Sequence, residues 1–171
     1  NSYAFNLLKD NKSKYRIILL VPNFHIENIK EKIADKRSWV VSIKSTGNIL
    51  RGENYVPAYP EVRLNKNITR KGEVIAMEKI SLEGSDFELI NKKIKLLLFS
   101  TLKEVKDRGS LTSELKVNPT QINNLAKNLV SRNNGDILII AKSIDNSQSA
   151  DNVSISLEIK PLDKTFKNKE K

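Results

Sequence analysis

The stretch Ser85–Gly109, SDFELINKKIKLLLFSTLKEVKDRG, carries the plainest structural signal in the 171-residue chain. Phe87, Ile90, Ile94, Leu97/Leu98, Leu102 and Val105 recur at the three-to-four spacing that gathers apolar side chains on one helical face. Ser85 and Glu88 have the spacing of a capping box, in which each side chain takes a free backbone N–H of the first turn. Gly109 is a natural stop, because glycine accepts the left-handed conformation that ends many helices. Asn118 and Gln121 repeat the box before a helix of about 119–132, with Pro119 at the first helical position and Ile122, Leu125, Leu129 and Val130 as its apolar positions. A third helix is predicted over about 24–36, with Asn23 as N-cap and Ile26, Ile29 and Ile33 as its stripe.

Strands surround these helices. Tyr15–Val21 is a short apolar run ending at Pro22, the pattern of a strand buried on both faces. Trp39–Lys44 reads as a strand, followed by a Thr46-Gly47-Asn48 turn and a Gly52-Glu53-Asn54 corner. Pro57 and Pro60 assign Tyr55–Tyr59 to a sheet edge, since proline cannot donate to a ladder. Val62–Leu64 and Glu73–Ile80 read as a pair joined through the basic segment Asn65–Gly72. Asn134-Gly135 turns the chain into the strand Asp136–Lys142, and Val153–Ile159 alternates as a half-exposed strand does. The expected fold is α+β, a mixed or antiparallel sheet with about three helices. Residues 1–14, around Phe5, Leu7 and Leu8, read as a linker or the end of an upstream element, 15–162 as a single domain, and 163–171 as a basic tail. Lys44–Asn48 and Lys142–Asn146 share Lys, Ser and Asn at one spacing, which leaves open two related helix–strand–loop–strand halves, 15–80 and 85–162.

Composition excludes much chemistry. Hydrophobic residues are 39% and charged residues 29%, the balance of a globular chain. Without cysteine there is no disulfide, thiolate nucleophile or iron–sulfur ligand. A lone histidine, His25, leaves no multi-histidine metal site and one candidate for a triad, for which no partner is evident. Glu27 and Glu31, four apart, are interleaved with Lys30 and Lys32 and read as surface charge. No Gly-rich phosphate loop or hydrolase elbow occurs. The expectation is no catalytic residues, no metal and no cofactor. The formal charge is +10, with 23 Lys against 7 Arg. Lys rises together with 19 Asn and 19 Ile, as AT-rich codon usage produces, so background composition accounts for much of it. No run approaches the ~18 apolar residues that cross a bilayer. The chain begins at Asn1 with no charged-then-apolar leader, so a processed chain or a fragment is expected.

Arg37–Glu53, RSWVVSIKSTGNILRGE, continues through Pro57-Ala58-Tyr59-Pro60-Glu61-Val62 to Lys71-Gly72-Glu73-Val74-Ile75-Ala76. This series resembles the C-terminal region of the cyanobacterial family called domain of unknown function 3084, over roughly 37–160 and most specifically 39–53 and 72–76. The resemblance implies a soluble region behind an N-terminal membrane anchor and a helical stalk, on either side of a membrane. It implies no catalytic residue.

Two constellations are candidates for binding. Arg63, Lys66, Arg70 and Lys71 make a basic stretch suited to phosphates or lipid headgroups, with Tyr55 and Tyr59 nearby in sequence. Leu111–Leu125 resembles a helix-turn-helix, packed through Leu115, Val117, Ile122 and Leu125. Its second helix would present Thr120, Gln121, Asn123, Asn124 and Lys127 to a major groove, with Asp136–Lys142 and Val153–Ile159 as a wing. Lys116 and Thr112 stand where that motif favours glycine and alanine. The expected function is non-enzymatic protein contact or assembly. The alternative is winged-helix nucleic-acid binding, and an anionic membrane surface is a further partner of suitable charge.

Overall fold

A computed structural model describes residues 2–6, 18–48, 50, 54–132 and 135–162 and shows an α+β chain. Residues 15–17 of the expected first strand, Gly52 and Glu53 of the corner, Asn134 and the 163–171 tail lie outside the described residues, as do Leu7 and Leu8. The chain divides into two units, Asn1–Asn65 and Lys66–Lys171.

The first unit runs β1 (Ser2–Asn6), β2 (Ile18–Pro22), α1 (Asn23–Lys32), β3 (Trp39–Ser45) and β4 (Tyr55–Leu64). Its strands lie in the order β1-β2-β4-β3. β2 and β4 are parallel, while β1 pairs with β2 and β3 with β4 antiparallel. Ser2–Asn6 is therefore a strand, not linker. Leu19, Val21, Val56 and Ala58 form a small core against Ile26 of α1. Pro22 occupies the N-cap position, Asn23 is the first helical residue, and no side chain caps the helix.

β4 is interior, which corrects the edge expected from its prolines. In a strand the N–H and C=O of one residue point the same way. The Pro57 carbonyl accepts the Thr46 N–H at 3.0 Å, so its missing donor faces the fringe of the β3 ladder, beyond the last pair Ser45–Ala58. Pro60 faces the opposite side, where pairing with β2 has already ended at Pro57. Neither proline removes a bond the sheet requires.

The second unit runs β5 (Asn67–Thr69), β6 (Val74–Ser81), α2 (Phe87–Asp107), β7 (Leu115–Lys116), α3 (Pro119–Val130), β8 (Asp136–Ser143), β9 (Ser147–Gln148) and β10 (Val153–Leu162). The main sheet has the order β6-β8-β10-β7, and β5 pairs with β9. β8 pairs antiparallel with both β6 and β10. Ile137, Ile139 and Ala141 of β8 join Ile80, Ile155 and Leu157 in one core with Ile90, Ile94, Leu97 and Val105 of α2 and Ala126 and Leu129 of α3. Val62–Leu64 and Glu73–Ile80 are thus not partners: the former pairs with β3 and the latter with β8. The division consequently falls at Asn65/Lys66 and not between 80 and 85.

The helix ends follow local hydrogen bonding. Asp86, one residue later than expected, caps α2 by accepting the Leu89 N–H at 2.7 Å, while Ser85 donates to the Ser81 carbonyl at 2.6 Å. The negative charge of the carboxylate at a helix N-terminus favours Asp. Asn118 caps α3 as expected, accepting the Thr120 N–H at 2.9 Å. Gln121 instead turns its amide to the Leu157 carbonyl. The two repeated segments share a local feature: the Ser45 hydroxyl donates to Gly47 O and the Ser143 hydroxyl to Asp145 O. The strand orders around them differ, since β3, which leads into the first segment, is an edge strand and β8, which leads into the second, lies between two neighbours.

Ile139, fully buried on the central strand, is predicted to cost ~2–5 kcal/mol when changed to Ala. Asp86→Ala is predicted to cost about 1 kcal/mol, more than Ser85→Ala; urea unfolding of the variants measures all three.

Candidate interaction surfaces

The basic stretch does not gather as one patch. Arg63 lies on β4 in the first unit and donates through Nε to Glu61 at 2.7 Å. Glu61 is also paired with Lys44, and these two cations, Lys44 foremost, hold its carboxyl below the usual range. Lys66, Arg70 and Lys71 belong to the second unit, with exposed side chains. An open depression of about 630 Å³ is lined by Asn67–Glu73. Its backbone donors are already used: Arg70 N–H goes to Glu73 Oε2 (2.8 Å), Lys71 N–H to Asn146 Oδ1 (2.9 Å), Gly72 N–H to Ser143 O (2.8 Å) and Glu73 N–H to Arg70 O (3.0 Å). Residues 70–73 therefore offer no nest of free amides, the usual anion cradle, and along this turn a ligand would be met by side chains. Beneath the turn, Thr69 exchanges hydrogen bonds with Ser143 (2.9 Å) and Ser147 (2.7 Å), a buried hydroxyl cluster satisfied from within.

Glu73 organises this turn. Its carboxyl takes the Arg70 N–H and faces Arg108 Nη1 at 2.6 Å; Arg108 also reaches Glu104 at 2.9 Å and the Ile68 carbonyl at 3.2 Å. The Arg70 amide and then Arg108 hold Glu73 below the ordinary carboxylate value. The sequence around Arg108 offers only the i, i+4 spacing to Glu104; nothing local marks its link to Glu73, 35 positions away.

The helix-turn-helix expectation is corrected. Residues 110–118, where the motif needs its first helix and turn, contain no helix: α2 has ended at Asp107, and Leu115–Lys116 forms β7, parallel to β10. Thr120, Asn123, Asn124 and Lys127 do share exposed positions on α3, but Gln121 is half-buried. β8 and β10 cannot stand out as a wing, because β8 is held between β6 and β10 in the main sheet. His25 sits in the first turn of α1 with its ring 3.9 Å from that of Phe24. Glu27 is paired with Lys30 at 2.7 Å. Among the described residues no group of three or more His, Asp or Glu side chains is disposed to hold a metal ion. No described helix is long and apolar enough to cross a membrane.

A surface the sequence alone did not single out is the outer edge of β3. Pairing with β4 uses the backbone groups of residues 40, 42 and 44, as the flanking bonds Asn65 N–H to Ser38 O and Thr46 N–H to Pro57 O fix the alternation. The N–H and C=O of Trp39, Val41, Ile43 and Ser45 then point away from the sheet, and no described strand lies beyond them. Residues opposite each other share a face, so Trp39, Val41 and Ile43 lie on the side of Ala58 and α1. That helix packs on β2 and β4, leaving Val41 46% and Ile43 41% exposed. Asp35 anchors the start of this edge: it accepts the Trp39 indole N–H at 2.7 Å and the Arg37 Nε at 2.6 Å, and Arg37 lies 4.7 Å over the Trp39 ring. The Trp39 bond, with Arg37 after it, lowers the Asp35 carboxyl from its ordinary value.

Compared with protein-family models, with curated proteins and with solved structures, the chain matches none.

A carboxylate depressed in the folded state contributes stability above its unfolded value, about 4.3 for Glu, and loses it as pH falls through the lower folded value. Glu73→Gln is therefore predicted to flatten the loss of stability on acidification below about pH 4.3. Urea midpoints measured for both proteins at neutral and acid pH give the comparison.

Proposed function

We propose that the chain is a non-enzymatic assembly region that joins a second copy of itself through the open edge of β3. The observation that carries this reading is the row of outward backbone groups at Trp39, Val41, Ile43 and Ser45 beside partly exposed apolar side chains. Exposed edges template the addition of another strand. An antiparallel copy centred on Ser42 would set Val41 against Ile43 and Trp39 against Ser45 of the partner, and Lys44 against Val40. Apolar side chains then meet and no like charges oppose. The resemblance to the anchored, stalked cyanobacterial family supports the same reading, because a stalk would bring several copies together.

Ile43→Pro removes an outward N–H that the protein's own ladder does not use. Sedimentation velocity is predicted to show the natural chain associating with rising concentration and Ile43→Pro remaining monomeric with an unchanged urea midpoint. A natural chain that stays monomeric at high micromolar concentration would contradict the reading.

A second reading, nucleic-acid binding, has the exposed α3 row Thr120, Asn123, Asn124 and Lys127 in its favour. Binding to a random DNA duplex that weakens steeply with salt and is lost in Lys127→Ala with Asn124→Ala would select it.

A further inference from the structure

The outward face of α2 combines apolar and cationic side chains, with the carboxylates Glu88 and Asp107 toward its two ends. The helix spans 21 residues, about 30 Å at 1.5 Å per residue. Its inner face is set by Ile90, Ile94, Leu97, Thr101 and Val105, all buried. At about 100° per residue, Phe99 lies nearly opposite the mean direction of that face. It is 66% exposed, the most exposed large apolar side chain described in the second unit. Leu96 (46% exposed) stands beside it and Leu89 (43%) lies farther along the same side. Lys95 and Lys103 fall four residues before and after Phe99, and Lys92 and Lys106 seven residues before and after. Lys103 is paired with Asp107 at 2.8 Å, whereas Lys92, Lys95 and Lys106 have no carboxylate partner among the described residues.

From this arrangement we propose that the outer face of α2 docks on an anionic membrane surface. The helix would lie flat, with Phe99, Leu96 and Leu89 entering the headgroup boundary and the four lysines meeting lipid phosphates. Aromatic and leucine side chains on one side of a basic helix are what interfacial binding uses. Lysine stems lie along apolar surroundings while their ammonium groups stay at the polar level. Other occupants fit less well. An apolar protein groove would have to bury Lys92 and Lys103, which stand in the same stripe as Leu89, Leu96 and Phe99. A second copy on this face would oppose four lysines with four more. α2 belongs to the second unit and β3 to the first, and this proposal does not depend on self-association.

Vesicle flotation with the full chain tests it. The probes are pure phosphatidylcholine vesicles and phosphatidylcholine vesicles carrying about a third phosphatidylglycerol. Binding is expected to the anionic vesicles only, and to weaken as salt rises. Lys95→Gln with Lys106→Gln should lower partitioning on the order of tenfold to thirtyfold, and Leu96→Ala with Phe99→Ala should lower it as well. Arg70→Gln with Lys71→Gln removes the same charge elsewhere and should leave binding within about twofold of the natural chain. All four α2 positions are solvent-facing, and matching urea midpoints show that the variants fold. Ile43→Pro should bind vesicles as the natural chain does, which separates this outcome from failure of the assembly reading. Equal binding to neutral vesicles, equal losses from the two charge pairs, or capture of polyglutamate without vesicle binding would each overturn the proposal; the last would assign the face to an acidic protein.

Discussion

The second unit depends on β8 being hydrogen-bonded along both edges. Eight residues, Asp136–Ser143, pair with β6 on one side and β10 on the other. Such a strand has no free backbone groups to satisfy and can lie in the interior, and its middle, Ile137–Ala141, is wholly apolar. Ile137, Ile139 and Ala141 then turn one row toward α2 and α3. That row sets which face of α2 is buried, and therefore which face is left outward. The position of Phe99 and its lysines is a consequence of where Ile90, Ile94, Leu97 and Val105 must go.

The first unit is arranged on different terms. Its core consists of four buried residues and Ile26, and α1 contains no fully buried side chain. β2 and β4 both have neighbours on each side, yet the prolines of β4 limit where its ladder bonds can form. β3 remains as an edge, pinned at its start by Asp35, Arg37 and Trp39. Edge strands are commonly guarded by inward charges, bulges or short length. β3 has seven residues with Val41 and Ile43 half-exposed, and its Lys44 is engaged by Glu61 on the sheet.

Elements governed by near neighbours were legible in the sequence. The long period of α2, the Asn118-Pro119 start of α3 and the alternation of β10 all depend on residues within a few positions of one another. The strand at Ser2–Asn6 was not legible, because its evidence is its partner β2. The interior place of β4 was hidden for a related reason: proline forbids a donor, but only the register tells whether that donor was needed. Within the ion network the Glu104–Arg108 spacing is local, but the bond from Arg108 to Glu73 joins a helix end to a distant turn, which no local pattern announces. Arg63 was grouped with Arg70 and Lys71 by proximity in sequence, yet the division between the units falls between them. Of Thr120, Gln121, Asn123, Asn124 and Lys127, all but the half-buried Gln121 share an exposed helix face, which helical periodicity alone places.

Residue-resolved amide exchange across a concentration series tests the open β3 edge most directly. The account predicts alternation along β3 at submicromolar concentration, with Val40, Ser42 and Lys44 slow and Trp39, Val41 and Ile43 fast, while β8 is slow throughout. Raising the concentration to high micromolar should slow Val41 and Ile43 and leave Val40 and Ser42 unchanged. Uniform protection along β3 at the lowest concentration, or fast exchange at Val41 and Ile43 at every concentration, would contradict it.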